Sequence, residues 1–135
     1  MDLIKSMFVS ASGMKAQTSR MKVIAENLAN AASTAKQPDG DPYRRKVIGF
    51  KNELDRQLGV NRVKVSDVGK DKSEFQLRYE PGHPGANADG YIKLPNVQPL
   101  IEIADMQEAQ RSYEANLSII ESAKAMLSRT LDLLR

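Results

Sequence analysis

The chain has no cysteine and no tryptophan in its 135 residues, and aromatic residues make up only 5% of it. Without cysteine, disulfides, thiolate metal sites and cysteine nucleophiles are excluded. The absence is compatible with either redox compartment. With so few aromatics, Met, Leu, Ile, Val and Ala must supply most of the buried surface. Long apolar runs are also missing. No stretch approaches the roughly 20 apolar residues that a membrane-spanning helix needs, and a mean hydropathy of −0.47 fits a soluble chain without direct membrane insertion. The start, Met1-Asp2-Leu3-Ile4-Lys5, has no basic leader followed by an apolar core. It is not a secretory signal peptide, so the chain is expected to stay in the cytoplasm or to leave by a route that needs none.

A strong charge of one sign is absent as well. The net charge is +3, too weakly basic to make nucleic acid the default partner, and the basic residues are dispersed. Their tightest cluster is Arg44-Arg45-Lys46.

What the sequence does contain is two long stretches of helical periodicity around a middle of different grammar. In the first, Met7, Met14, Met21 and Leu28 recur every seven residues, with Ile24 and several alanines, Ala11, Ala25 and Ala31 among them, on the same stripe. This spacing predicts an amphipathic helix over residues 3–31, about 40 Å long at 1.5 Å per residue. Gly13 inside it costs about 1 kcal/mol relative to alanine and points to a close neighbour or a slight bend. Pro38, Asp39, Gly40 and Pro42 are breakers that end the helical stretch. In the last stretch, Met106, Tyr113, Ile120, Leu127 and Leu134 keep a heptad without a slip, flanked by Leu117 and Leu131 and by the small residues Ala109 and Ala123. A second helix, about 50 Å long, is predicted there as a coiled-coil seam, with Asn96 as its N-cap and Pro99 in its first turn. Asn116, on this helix, is either a polar seam residue that fixes register or simply a solvent-exposed one.

Between the helices, residues 43–50, 60–68, 75–79 and 91–94 are rich in β-branched and aromatic residues with period-two alternation. Asn52 to Leu58 is expected to be a short helical or irregular bridge, and Asp89-Gly90 a hairpin-type turn. The expected fold is therefore α+β: long N- and C-terminal helices paired as a coiled coil, with a small β-rich middle domain. The organisation is an N-terminal assembly helix over 1–31, a linker and β-rich domain over 32–96, and a C-terminal assembly helix over 97–135. Helices this long cannot both be wrapped by a fifty-residue sheet. They must pair with each other, with other chains, or both. Periodicity leaves open a monomeric helical hairpin, an oligomer or filament, and a membrane-surface helix.

Catalytic chemistry finds little support. His83 is the single histidine, set between Gly82 and Pro84; a metal site would need further ligands that the sequence does not provide. It reads as a turn-stabilising loop residue. No nucleophile elbow, phosphate-binding glycine loop or paired-histidine helix is present. No enzyme activity and no cofactor are expected, and Tyr113 reads as a seam residue with its hydroxyl at the rim.

The segment SASGMKAQTSRMKVIAENLANA, residues 10–31, resembles the N-terminal motif of the flagellar axial proteins, the rod and hook group. Ser10, Gly13, Asn27 and Asn30 carry it. Farther on, Tyr79-Glu80-Pro81-Gly82-His83-Pro84, Pro95-Asn96-Val97 and Arg111-Ser112-Tyr113-Glu114-Ala115-Asn116 resemble the short proximal-rod branch of that group. Glu26 stands where many axial proteins have Asn.

The resemblance implies a structural subunit of the flagellar basal-body rod, transmitting torque and forming part of the export channel wall. It implies export through the flagellar type III apparatus without a cleavable signal peptide, and assembly in the periplasm. The implied partners are copies of itself within a hetero-oligomeric rod, the rod proteins FlgB, FlgF and FlgG, and the adaptor FliE. The alternatives are another axial protein, FlgB-like or FlgG-like, or a soluble coiled-coil adaptor. The expected assembly interface comprises Met7, Met14, Met21, Ile24 and Leu28 of the first helix, with Met106, Tyr113, Leu117, Ile120, Leu127, Leu131 and Leu134 of the last.

Overall fold

The fold was obtained as a computed structural model, in which residues 3–133 are described. The element order is α1 (Leu3–Ala29), β1 (Lys46–Asp55), β2 (Val60–Lys70), β3 (Gln76–Tyr79), β4 (Tyr91–Leu94) and α2 (Pro99–Leu133). This is the α+β arrangement of two long terminal helices around a small strand-containing middle.

Helix α1 stops at Ala29 because Asn30 closes it. The Asn30 backbone N–H donates to the carbonyls of Glu26 and Asn27, and its side-chain Nδ2 donates to the Glu26 carbonyl at 2.8 Å. The last carbonyls are thus satisfied within the chain. At the other end of the middle, α2 starts at Pro99, three residues after the expected N-cap Asn96. The carbonyl of Gln98 accepts from the N–H groups of Ile101 and Glu102, and Pro99 occupies the first helical position, where a missing N–H costs nothing. Asn96 is not the N-cap. Its side chain lies too far upstream for the first helical N–H groups and is used elsewhere, as described below.

The strands form two separate two-stranded sheets, β1–β2 and β3–β4. The expected bridge over residues 52–58 is not a bridge: β1 continues to Asp55, and only Arg56–Gly59 turns. Asp55 makes that turn, since its Oδ1 accepts from the N–H groups of Gln57 and Leu58 and its carbonyl accepts from Gly59. In the second sheet β3 and β4 are antiparallel, with Leu77 opposite Lys93 and Tyr79 opposite Tyr91. The turn expected at Asp89-Gly90 is present. Gly90 N–H donates to the Asn87 carbonyl, and Gly90 adopts a φ of 84°, a conformation that glycine takes without steric cost.

The chain folds into two compact units. One comprises residues 3–21, 49–67 and 107–133. Within it α1 and α2 run antiparallel: Gly13 faces the side chain of Asn116, and Arg20 lies 3.5 Å from Glu108. Its buried positions are small, namely Ser10, Ala16, Ala109 and Ala123. Small residues let helices approach closely and leave little area to each side chain. Of the alanines expected on the first stripe, Ala11 and Ala25 are exposed and Ala31 is half-buried. The β1–β2 hairpin joins this unit through Val63, whose N–H donates to Ser12 Oγ at 3.3 Å.

The other unit comprises residues 22–48 and 68–106. Its core contains Val23, Ile24, Ile92 and Val97, together with two buried polar side chains, Asn27 and Glu102. Ile92 points inward from β4, whereas Leu77, Tyr79 and Tyr91 occupy the outer face of the same sheet. Tyr79 and Tyr91 meet there edge to face, with ring centroids 5.3 Å apart, a geometry favoured by the ring quadrupoles.

Candidate assembly surface and its polar hub

Asn27 is only 1% exposed, and a buried amide must find partners for two donors and two acceptor lone pairs. It finds four. Nδ2 donates to the Lys46 carbonyl at 2.9 Å and to Glu102 Oε2 at 3.0 Å, while Oδ1 accepts from Tyr43 Oη and the Lys46 N–H, both at 2.9 Å. One side chain thereby fastens the end of α1, the entry into β1 and the start of α2. Glu102, 0% exposed, passes the connection on through Oε1, which accepts from Arg45 Nε. Arg45 also faces Asp71 at 3.6 Å and Asp105 at 3.8 Å.

Asn96 belongs to the same construction. Its Oδ1 accepts from the Arg45 N–H at 2.8 Å, and its Nδ2 reaches the carbonyls of Asp71 and Ser73 and the Ser73 hydroxyl. The cluster Arg44-Arg45-Lys46 is therefore engaged within the chain. Arg44 lies over the Phe75 ring, 4.2 Å from its centroid, and donates to the Asp71 carbonyl; Lys46 pairs with Glu26 at 2.8 Å. Glu26, the departure from the common axial asparagine, thus holds the side chain of the residue next to the hub.

The electrostatics follow from these contacts. The Asp71 carboxyl is held below its ordinary range, first by the Ser73 N–H and hydroxyl that donate to it and then by Arg45. Burial works against the Arg45 charge, but Glu102, Asp71 and Asp105 outweigh it and the guanidinium is driven up. The Glu26 carboxyl is lowered and the Lys46 ammonium raised by their mutual hydrogen bond and attraction. Burial pushes the Tyr43 hydroxyl up.

His83 is half-buried in the loop between β3 and β4. Its Nδ1 accepts from the Gly85 N–H at 3.0 Å, and its Nε2 lies 3.2 Å from the Thr34 hydroxyl. It joins that loop to the segment following α1. Pro81 and Pro84 beside it are exposed. Among the described residues no group of three or more His, Asp or Glu side chains is placed to hold a metal ion, and no helix is long and apolar enough to cross a membrane.

The expected interface residues divide by burial. Ile24 is buried; Met7, Met14, Met21, Leu28, Met106, Tyr113 and Ile120 are half-buried; Leu117, Leu127 and Leu131 are exposed. Leu134 lies outside the described residues. Apolar exposure on α2 goes further than the heptad predicts: Leu100, Ile101 and Ile103 in its first turns and Ile119, Met126 and Leu133 farther along are open, Leu133 at 88%. On α1, Ile4 and Phe8 stand exposed one turn apart. The motif positions have distinct places. Ser10 is buried, Gly13 receives Asn116, Asn27 is the hub and Asn30 closes the helix.

Two long terminal helices, each with exposed apolar side chains, enclose a short strand-bearing stretch of sequence, and comparison with known proteins identifies the class. The family described as "Flagella basal body rod protein" matches residues 7–35, and that described as "Flagellar basal body rod FlgEFG protein C-terminal" matches residues 88–133. These matches cover most of α1 and all of α2 and place the chain in the class of flagellar rod proteins. Flagellar basal-body rod protein FlgC of Agrobacterium fabrum is 47% identical over 127 residues, spanning 94% of this chain and 91% of that protein. The FlgC proteins of Bacillus subtilis and Escherichia coli O6:H1 are 42% identical over 148 residues and 40% over 133, each spanning 98% of this chain and nearly all of the relative. The chain belongs to the FlgC family of flagellar basal-body rod proteins.

Proposed function

We propose that this chain is a structural subunit of the proximal rod, and that its terminal helices are the surface through which it assembles. The observation that carries this reading is the apolar repeat of α2, which continues past the part of the helix that α1 covers while its side chains remain open. Soluble monomers seldom leave such a stripe uncovered without a partner for it, and neighbouring subunits in a tube would bury it. The polar hub suits the same role, because it fastens the middle segment to both helices with hydrogen bonds inside the chain and needs no partner to do so.

In this reading the terminal helices form an inner layer shared among subunits around the export channel, and the strand-bearing middle faces outward. The work is mechanical: passing torque along the rod and continuing the channel wall. The partners are further copies of the chain, FlgB, FlgF, FlgG and FliE, met in the periplasm after export by the flagellar apparatus. Deleting the gene and complementing it with an Ile120→Asp variant tests the reading. Loss of rods from isolated basal bodies and loss of motility are expected in both strains; intact rods in the deletion strain would overturn it.

A further inference from the structure

The sequence contains two Asp-Gly pairs, Asp39-Gly40 and Asp89-Gly90, and no Asn-Gly pair. An aspartate followed by glycine is open to attack on its own side chain, because glycine has no Cβ to shield the next backbone nitrogen. The two pairs are held very differently. Gly90 is buried, and a Cβ there would stand 2.9 Å from the Tyr79 ring and 3.1 Å from Pro81 Cβ. Asn87 grips the whole turn. Its Oδ1 accepts from the N–H groups of Asp89 and Tyr91, and its carbonyl accepts from Gly90. The Gly90 carbonyl in turn accepts from Glu80, and β3 and β4 pair on either side. Asp39-Gly40 lies in the link between α1 and β1, where residues 36–39 are exposed. Among the described residues, the bond from the Gly40 N–H to the Gln37 carbonyl, at 3.1 Å, is the one backbone hydrogen bond that holds residues 36–40. Asp39 also has a φ of 60°, a left-handed conformation that crowds its Cβ against the following carbonyl.

We propose that Asp39 is the position at which this folded chain isomerises to isoaspartate, which makes the exposed link around it the segment that an isoaspartyl methyltransferase would recognise. In the first step the Gly40 nitrogen bonds to Asp39 Cγ. One carboxylate oxygen leaves as water, taking the nitrogen's proton and one from solvent, and a succinimide ring remains. In the second step water opens the ring. Attack at the Asp39 backbone carbonyl carbon breaks its bond to nitrogen and leaves the chain running through Cβ and Cγ. Attack at Cγ restores aspartate. No oxidant or reductant takes part. The isomer adds one atom to the backbone path two residues before Asp41, whose carboxylate pairs with Lys93 at 3.1 Å.

The test incubates the full-length protein at neutral pH for several weeks, once folded and once unfolded in urea. Isoaspartate is then located by peptide mapping with a protease that cleaves before aspartate and not before isoaspartate. Methyl transfer from S-adenosylmethionine by a purified isoaspartyl methyltransferase counts the total. In the folded chain isoaspartate should form at position 39 several-fold faster than at position 89. In urea the two sites should react at similar rates, which isolates the protection that the fold gives to Asp89. Asp39→Glu should remove most of the methyl acceptance of the folded chain. Equal rates at positions 39 and 89 in the folded chain overturn the assignment. So does a position 39 that reacts in urea and stays unchanged in the folded chain, or a folded Asp39→Glu variant that accepts methyl groups as well as the parent.

Discussion

Asn27 Nδ2 and Glu102 Oε2 lie 3.0 Å apart where the end of α1 meets the start of α2, and both side chains are shut off from solvent. The amide has no capacity left over: its other bonds go to Tyr43 and to both backbone groups of Lys46. Replacing Asn27 by alanine leaves several of those groups buried without partners. At about 1–3 kcal/mol for each such group, and allowing for partial relaxation, Asn27→Ala should destabilise the chain by about 2–4 kcal/mol in urea unfolding. Asn27→Asp should be no better, because it sets a second carboxylate beside Glu102. A loss within the error of the measurement would mean that the hub contributes geometry and little stability.

The pH response should centre on Asp71. Its folded-state carboxyl lies below the ordinary value of 3.8, owing to the Ser73 donors and Arg45. A depressed carboxyl contributes stability that is fully present above the unfolded value and disappears as pH falls through the folded one. Stability should therefore hold from neutrality down to about pH 5 and decline below about pH 4. Glu26 and Glu53, lowered by Lys46 and Lys64 respectively, act in the same direction but are solvent-screened. Asp71→Asn should reduce the steepness of that decline in urea midpoints measured from pH 6 to pH 3; an unchanged profile would place the acid sensitivity elsewhere.

His83 organises the loop it sits in, and the expected consequence of losing it is local. In His83→Ala the Gly85 N–H loses its acceptor and Thr34 its contact, a cost of about 1–2 kcal/mol for partly buried groups. Hydrogen exchange should quicken at residues 80–90 while amides in the middle of α2 keep their protection. A change spread evenly over the whole chain would contradict a local role.

The helices and most strands were legible because their periodicity is long and regular. The β1 extension was not: Asn52, Glu53 and Leu54 have no alternation that marks a strand, and what keeps them in one is cross-strand pairing, with Lys64 on Glu53 and Arg62 on Asp55. Asn96 stands where an N-cap would by position, yet two segments distant in sequence, at Arg45 and at Asp71–Ser73, take its side chain. The largest gap concerns the inner line of the helix pair. The methionine repeat marks the expected seam, but the fully buried positions of this unit are the small residues Ser10, Ala16, Ala109 and Ala123, and Met7, Met14, Met21 and Met106 are half-buried. No hydropathy pattern reveals Asn27 either. Its importance arises from Tyr43, Lys46 and Glu102 meeting it in space; the family motif marked the position without the reason.

Leu131 on α2 and Leu54 on the β1–β2 hairpin are each 58% exposed, which makes them a matched test of where assembly occurs. An aspartate at either position replaces a mostly solvated side chain, so the isolated chain should keep its helix content, and its stability should move by no more than about 0.5 kcal/mol. Their effects on rods should differ. At position 131 the aspartate would be carried into an apolar contact between helices, where an uncompensated charge costs several kcal/mol; Leu127→Asp, at a 38% exposed position one turn earlier, should behave alike. Rods should be missing from basal bodies of the Leu131→Asp and Leu127→Asp strains and present in the Leu54→Asp strain, with motility following. Equal failure of all three would extend the assembly surface to the hairpin. Normal rods with Leu131→Asp and Leu127→Asp would remove the C-terminal helix from the interface altogether.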